Sequence, residues 1–242
     1  GAQTASYGAT NYLIFAATGD TMDPSAVGIS SGWGGIRTTP EFYQMFDAAD
    51  QRELFWEEGH TLSIDDISTF SNGIGFQKFK NIQSNGEPGS DKGFVDVDFP
   101  VFRYADALLM LAECELNGVS CGGKAAYDKV RARAGMPNLK LQNDPANNMG
   151  VSDLIWEVRR ERRVELMFDL NDRYWSLIRW HQLDKLDTQK YPEQTQGAWI
   201  EKGWPIDLKS VTLTNGDHGY IDCKGTNPDR IFEEKHYLAP IP

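Results

Sequence analysis

The chain has 242 residues, 40% of them hydrophobic and 12% aromatic, and its 24 Lys and Arg stand against 35 Asp and Glu for a formal net charge of −11. That length can bury one substantial core or two small ones, and the apolar content excludes a disordered chain. The acidic balance argues against nucleic acid and against adsorption to anionic lipid, which both need clustered Lys and Arg, and no apolar run approaches the roughly 20 residues that span a bilayer.

Residues 1–38 are rich in Gly, Ser and Thr and read as loop, with one short element around Tyr12–Ala16. The opening Gly1-Ala2-Gln3-Thr4 lacks the basic n-region and apolar h-region of a signal peptide. Thr39-Pro40-Glu41 has the order of a helix start: a capping hydroxyl, Pro at the first helical position, then an acid in the first turn. Phe42, Met45, Phe46 and Ala49 continue at helical spacing. Residues 61–98 are loop-rich, with short strands expected at Gly75–Lys80 and Phe94–Val97.

Val101 to about Leu116 is the strongest helix. Val101, Ala105, Leu108, Ala112 and Leu116 form one stripe, widened by Tyr104, Leu109 and Leu111. Asn117-Gly118 ends it, and a second helix runs from Lys124 to Ala134, stopped by Gly135 and Pro137. The 34 residues from Val101 through Ala134 match the tetratricopeptide repeat in length. One such pair cannot bury its own apolar face, so other helices of this chain, or repeats outside it, must cover it. Ser152-Asp153 opens a helix to about Leu170, with Leu154, Ile155, Val158, Glu161 and Glu165 along its inward line, and Asp172 opens another to about Leu186. The expected architecture is mainly α with long loops and minor short β-strands. It forms one domain in three stretches: loop-rich 1–98, a helical scaffold 99–187 and an irregular tail 188–242.

Residue patterns for covalent chemistry are weak. Glu57-Glu58 and Asp65-Asp66 suggest a glycosidase, but glycoside hydrolysis needs two carboxyls facing each other at about 5–10 Å, which sequence neighbours do not provide. The four His residues are scattered, and no zinc spacing, EF-hand or phosphate loop occurs, so no catalytic residue, metal or cofactor is expected. The run Glu157–Glu165 reads as an ion-pair lattice fixing helix packing. Cys114 and Cys121 either pair around the intervening turn or stand as two small buried thiols, and Cys223 is the odd one.

Aromatic residues are the stronger lead, because sugars present flat C–H faces to rings while polar neighbours bind their hydroxyls. Trp156, Trp175 and Trp180 fall in helices and read as core, and Trp199 and Trp204 read as anchors for the tail, the alternative being the lining of a site or a partner interface. Trp33 differs. Ser30-Ser31-Gly32-Trp33-Gly34-Gly35 sets a large ring in a polar, glycine-rich loop, where burial is hard to arrange and a ligand can approach closely. Trp33 is the first candidate carbohydrate contact, the competing reading being a loop anchor into the core, and it is followed by Phe70 in Ser68-Thr69-Phe70-Ser71-Asn72 and by Tyr12.

Four ordered blocks carry a family signal. They are Val101-Phe102-Arg103-Tyr104-Ala105-Asp106-Ala107-Leu108-Leu109-Met110-Leu111-Ala112-Glu113, Val130-Arg131-Ala132-Arg133-Ala134-Gly135, Arg160-Glu161-Arg162-Arg163-Val164-Glu165-Leu166, and Asp172-Arg173-Tyr174-Trp175-Ser176-Leu177-Ile178-Arg179-Trp180. At that spacing the chain resembles the SusD/RagB family. Gly35-Ile36-Arg37-Thr38-Thr39-Pro40-Glu41-Phe42 with Asp50-Gln51-Arg52, Gln77-Lys78-Phe79-Lys80 and His236-Tyr237-Leu238-Ala239-Pro240-Ile241-Pro242 extend the likeness from about residue 12 to 242. Asp169-Leu170-Asn171 departs from the more usual small or Glu-Gly junction. Family members are usually about twice as long, so the resemblance implies the C-terminal half of a SusD-like protein. It further implies non-catalytic capture of oligosaccharide or polysaccharide at the surface of Bacteroidetes-type bacteria. The ligand would pass to a SusC-like TonB-dependent transporter of the outer membrane, with membrane association only through a lipid anchor in the missing N-terminal half. The alternatives are a peptide-binding subunit or a purely structural lid of such a transporter.

Overall fold

Among the described residues of a computed structural model of the protein, six α-helices, one 3-10 turn and five strands of two or three residues form. The structure describes residues 12–19, 21–38, 40–43, 45–52, 54–66, 68–95, 97–98, 100–137, 153–169, 172–181, 199–200, 219–220 and 233. They divide into two units: Gly1–Tyr43 with Arg52–Phe99, and Gln44–Gln51 with Pro100–Pro242.

The first unit begins with α1 (Tyr12–Ala17) and a 3-10 turn (Pro24–Val27), whose Asp23 cap accepts the Ser25 amide at 2.9 Å. β1 (Arg37–Thr38), α2 (Pro40–Tyr43), β2 (Phe55–Trp56) and β3 (Ile74–Phe76) follow. β3 is central in an antiparallel sheet of order β1-β3-β2, with Arg37 opposite Gly75 and Trp56 also opposite Gly75. Ile14, Phe15, Met22, Val27, Ile29 and Val95 make its core. Asn81, nearly sealed from solvent, ties that core to its loops: its Nδ2 donates to the carbonyls of Gly28 at 2.8 Å and Asp91 at 2.9 Å. A buried amide so satisfied costs little, whereas an apolar replacement would orphan two carbonyls.

In the second unit, α3 (Tyr104–Leu116) and α4 (Gly123–Arg133) form the expected helix pair. Gly123 makes the close crossing possible, since a Cβ there would stand 2.4 Å from the Leu111 carbonyl oxygen. Ala105, Leu108, Leu109 and Ala112 of α3 pack with Ala126, Tyr127 and Val130 of α4 and with Val158 of α5 (Asp153–Glu165). α6 is Asp172–Arg179, and β4 (Trp199–Ile200) pairs antiparallel with β5 (Gly219–Tyr220).

The sequence expectations hold for the type of each long element and fail in detail at several places. The helix expected from Thr39-Pro40-Glu41 lasts one turn, because the Asp47 side chain accepts the Ala49 amide at 2.8 Å and closes a turn of its own. The strand expected at Gly75–Lys80 is Ile74–Phe76, and the described residues of Phe94–Val97 are irregular, with Asp91 accepting the amides of Gly93 and Phe94. Val101 lies outside α3, and Val101, Tyr104 and Leu111 are exposed. α5 stops at Glu165, short of Leu170, where Phe168 takes a left-handed φ of 61°. α6 stops at Arg179, and residues 182–186 lie outside the described set. Neither Cys114 nor Cys121 is buried, against the reading of two sealed thiols.

Candidate functional site

The candidate site is built on the open end of α1. A helix leaves its last carbonyls without intrahelical partners, and here the following loop supplies them. Trp33 N–H donates to the Phe15 carbonyl at 2.6 Å, Gly34 N–H to Thr18 at 3.0 Å, and Gly35 and Ile36 N–H both to Ala16 at 2.7 and 2.8 Å. The Gly32 Cα lies so close to α1 that an added Cβ would meet the Thr18 carbonyl oxygen at 2.1 Å. The segment that read as loose loop is therefore fastened at four consecutive amides. One side of the Trp33 indole rests on the buried Phe15 ring, centroids 5.7 Å apart, and the indole stays 57% exposed.

The β1–β3 ladder brings Phe70 alongside. β1 directly follows the Trp33 loop and β3 directly follows the turn that carries Phe70, so pairing Thr38 with Ile74 aligns the two loops. Phe70 is 48% exposed, and its Cδ2 lies 3.6 Å from the Cβ position of Gly34, the residue after Trp33. Its turn is heavily braced. Asn72 Oδ1 accepts the amides of Asp65 and Asp66, each at 3.0 Å. The Asp66 carboxylate accepts the Ser68 amide and hydroxyl and the Thr69 hydroxyl, and these bonds, led by that from the Ser68 hydroxyl, hold its pKa below the ordinary value. Arg37 Nη1 donates to the carbonyls of Thr69 at 2.6 Å and Asn72 at 2.7 Å, and its guanidinium lies 5.4 Å from the Phe70 centroid. Burial draws the Arg37 pKa down and the Asp66 charge opposes this, yet a guanidinium stays charged throughout.

Of the three residues singled out from sequence, Trp33 and Phe70 are both exposed, and Phe70 lies beside Gly34, the residue after Trp33. Tyr12 opens α1, but its side chain lies outside the described residues. Arg37 and Asn72 were not anticipated as site residues. Their contacts span turns and strands, and the local spacing carried no sign of them. An exposed ring on a fixed backbone can pack against a flat C–H surface.

One acid of each pair is bound locally. Glu57 accepts the Tyr43 hydroxyl at 2.6 Å, burial and then this bond push that phenol up to about 12, and Asp66 is committed to its own turn. The charged run of α5 is the packing lattice expected of it. Glu161, fully buried, pairs with Arg131 at 3.2 Å, and Glu165 accepts from Arg103 at 2.9 Å and from Arg133. Burial pushes Glu165 up, but the bonds from Arg103 and Arg133 outweigh it and leave the carboxyl below its ordinary pKa. Glu157 goes the other way, because burial exceeds the opposing charges of Arg160 and Arg131. Among the described residues no cluster of three or more His, Cys, Asp or Glu is placed to hold a metal, and no helix is long and apolar enough to cross a membrane.

Trp156 is buried as expected, and Trp180 is half-buried between the guanidinium groups of Arg159 and Arg179, at 4.7 and 5.6 Å. Trp175 departs from its core assignment: it is 47% exposed and edges a cleft of about 170 Å³ with Phe102 and Met110. The floor of that cleft holds the Arg103–Asp169 and Arg162–Asp106 pairs. Trp199 and Trp204 have side chains outside the described set.

A model of the SusD family matches residues 50–242. A starch-binding protein, SusD of Bacteroides thetaiotaomicron, is 37% identical over 107 residues, covering 41% of this chain and 18% of that protein. A SusD superfamily structure from Parabacteroides distasonis aligns over 95% of this chain and 42% of that one, with a TM-score of 0.50 and 20% identity. A SusD homologue from Bacteroides thetaiotaomicron aligns over 66% of this chain and 34% of that one, with a TM-score of 0.44 and 24% identity. The chain therefore spans less than half the length of each of these relatives.

Proposed function

The chain belongs to the SusD family, and from that membership we propose that it binds oligosaccharide or polysaccharide without transforming it. The observation that carries the reading is the pair Trp33 and Phe70: both rings stand about half in solvent while the backbone beneath each is fixed by hydrogen bonds. Leaving two large rings in water forgoes about 1.5–3 kcal/mol of burial apiece, a cost that a sugar face would offset on binding. Their prior immobilisation removes part of the ordering entropy that association otherwise incurs. A related protein that bears the name starch-binding supports the same ligand class.

The wider setting belongs to the same proposal. The chain acts as a single C-terminal domain of an exported lipoprotein at the outer membrane, anchored through lipid in a preceding half. It delivers its ligand to a SusC-like TonB-dependent transporter. No covalent step is involved, and Trp33, Phe70 and Tyr12 are the contact residues.

Calorimetric titration of an oligosaccharide panel into the protein and its Trp33→Ala variant tests the reading. Binding by the wild type that the variant loses supports glycan capture at this platform. Equal binding by both moves the site elsewhere in the chain. If no glycan binds while extended peptides do, the peptide-binding alternative replaces this one, and binding of neither leaves the structural lid.

A further inference from the structure

The cleft edged by Trp175 is lined by residues between Pro100 and Arg179, all within the second unit, and none of them belongs to the Trp33 or Phe70 loops. Its walls are apolar. Trp175 stays 47% exposed although α6 is fastened beneath it, where Arg162 Nε donates to Ser176 Oγ at 3.1 Å. The Tyr174 ring meets the indole edge-on, centroids 5.4 Å apart. Phe102, 81% exposed, precedes Arg103, whose guanidinium is pinned by Glu165 at 2.9 Å. The floor is polar, and every guanidinium lining it faces a carboxylate. Arg103 pairs with Glu165 and Asp169, Arg162 with Asp106, and Arg179 with Glu113 at 3.0 Å. Donors and acceptors therefore stand together with little net charge to attract an ion. Ligands can reach them, since the Arg103 and Asp106 side chains are 25% and 17% exposed.

We propose that this cleft is a second carbohydrate subsite, which takes one neutral hexose ring between Trp175 and Phe102. Its volume of about 170 Å³ is below the roughly 300–1,000 Å³ of pockets that enclose a drug-sized ligand, and suits a single ring. A sugar hydroxyl both donates and accepts. A carboxylate has about four acceptor positions and a guanidinium five donors, so an ion pair leaves positions that hydroxyls can fill. An anion would have to displace a carboxylate from its Arg, and a cation a guanidinium from its Asp or Glu. An aromatic peptide side chain would suit the walls but would cover charged pairs with a surface that returns no hydrogen bonds, which is costly. A sugar ring offers C–H faces to the walls and hydroxyls to the floor. The ligand class rests on the glycan-binding reading above, while the site is built from other residues.

The test is saturation-transfer NMR with glucose, galactose, mannose and N-acetylglucosamine as single-ring probes, on the wild type, Trp33→Ala, and Trp33→Ala combined with either Trp175→Ala or Phe102→Ala. Both added substitutions remove exposed rings, and an unchanged Tm checks that the fold is kept. The expected result is that at least one hexose still binds the Trp33→Ala protein and that either added substitution weakens this binding tenfold or more. Combined variants that bind as tightly as Trp33→Ala alone would overturn the proposal. So would a hexose that binds the wild type and not Trp33→Ala, which leaves the Trp33 platform standing by itself. A wild type that binds no sugar, whether these hexoses or the oligosaccharide panel, overturns both readings. Binding of N-acetylphenylalaninamide in place of any hexose, lost in Trp175→Ala, would make the cleft a peptide side-chain pocket instead.

Discussion

The guanidinium of Arg37 lies over the Phe70 ring, 5.4 Å from its centroid, while its Nη1 holds the two carbonyls, Thr69 and Asn72, that bracket that ring in sequence. One side chain thereby sets both the turn and the aromatic face it displays. Arg37→Met keeps most of the stem and removes the donors. Each charge-assisted bond contributes roughly 1.5–3 kcal/mol, so the variant should lose about that much stability and bind oligosaccharide several-fold more weakly. Chemical denaturation and calorimetry would measure the two losses. Unchanged affinity beside a lower stability would show that the turn's geometry does not matter to binding.

Trp33→Ala should separate stability from binding. Most of the indole is in solvent and its backbone bonds survive truncation, so unfolding free energy should fall by under about 1.5 kcal/mol. Affinity should fall about tenfold or more, as expected when a stacking ring is removed from a binding surface. Trp33→Phe should recover part of the affinity. A variant that unfolds as readily as a core mutant would make the indole a loop anchor.

Gly32→Ala tests how the platform is mounted. Its Cβ would fall 2.1 Å from the Thr18 carbonyl oxygen, a backbone atom that cannot yield cheaply. A loss of about 1–3 kcal/mol is expected, together with a change in Trp33 fluorescence. Wild-type stability and fluorescence would mean that the loop shifts without strain.

Two buried acids on α5 should respond to pH in opposite senses. Glu165 has a folded pKa below its unfolded value, so its stabilisation is present above the unfolded pKa, about 4.3, and is lost as pH falls through the folded value. Glu157 has a folded pKa above its unfolded value, so its contribution is full below about pH 4.3 and disappears as pH rises through the folded value. Glu165→Gln should thus destabilise most at pH 7, by about 3–5 kcal/mol for a broken buried pair, and least near pH 3. Glu157→Gln should be nearly neutral at pH 7. Urea unfolding from pH 3 to pH 7 would show whether the two slopes differ in sign.

The helix pair offers a direct comparison of two α3 positions. Leu109 is wholly buried and Tyr104 is 72% exposed. Leu109→Ala should cost about 2–5 kcal/mol, and Tyr104→Ala under about 0.5 kcal/mol. Thermal unfolding of both variants would decide, and equal losses would place Tyr104 in the core.

Periodicity made α3, α4 and the buried line Ala105, Leu108 and Ala112 legible, because a 3.6-residue repeat is a local property. It could not tell which flank of a wide apolar stripe would be covered, and so Tyr104 and Leu111 were assigned inward and stand outward. The sequence left Trp33 open between an exposed contact and a loop anchor in the core, because its Gly and Ser neighbours mark a loop without fixing which way the ring turns. The bracing of Phe70 was not legible, because Arg37 reaches its carbonyl partners across 32 and 35 residues, and only the β1–β3 register makes them neighbours. Asp47 shortened α2 for a related reason: its side chain competes with the helix for backbone amides, and hydrophobic spacing is blind to that competition.

The four amides of Trp33–Ile36 that close the end of α1 engage main-chain atoms alone. The shape of this segment is therefore indifferent to the side chain at position 33, while its length is fixed by the carbonyls it must reach. Insertions or deletions here would unravel a helix terminus, whereas exchanging one ring for another, or for a polar group, would leave the mounting untouched. The side chain at position 33 can thus be exchanged on a frame that stays put.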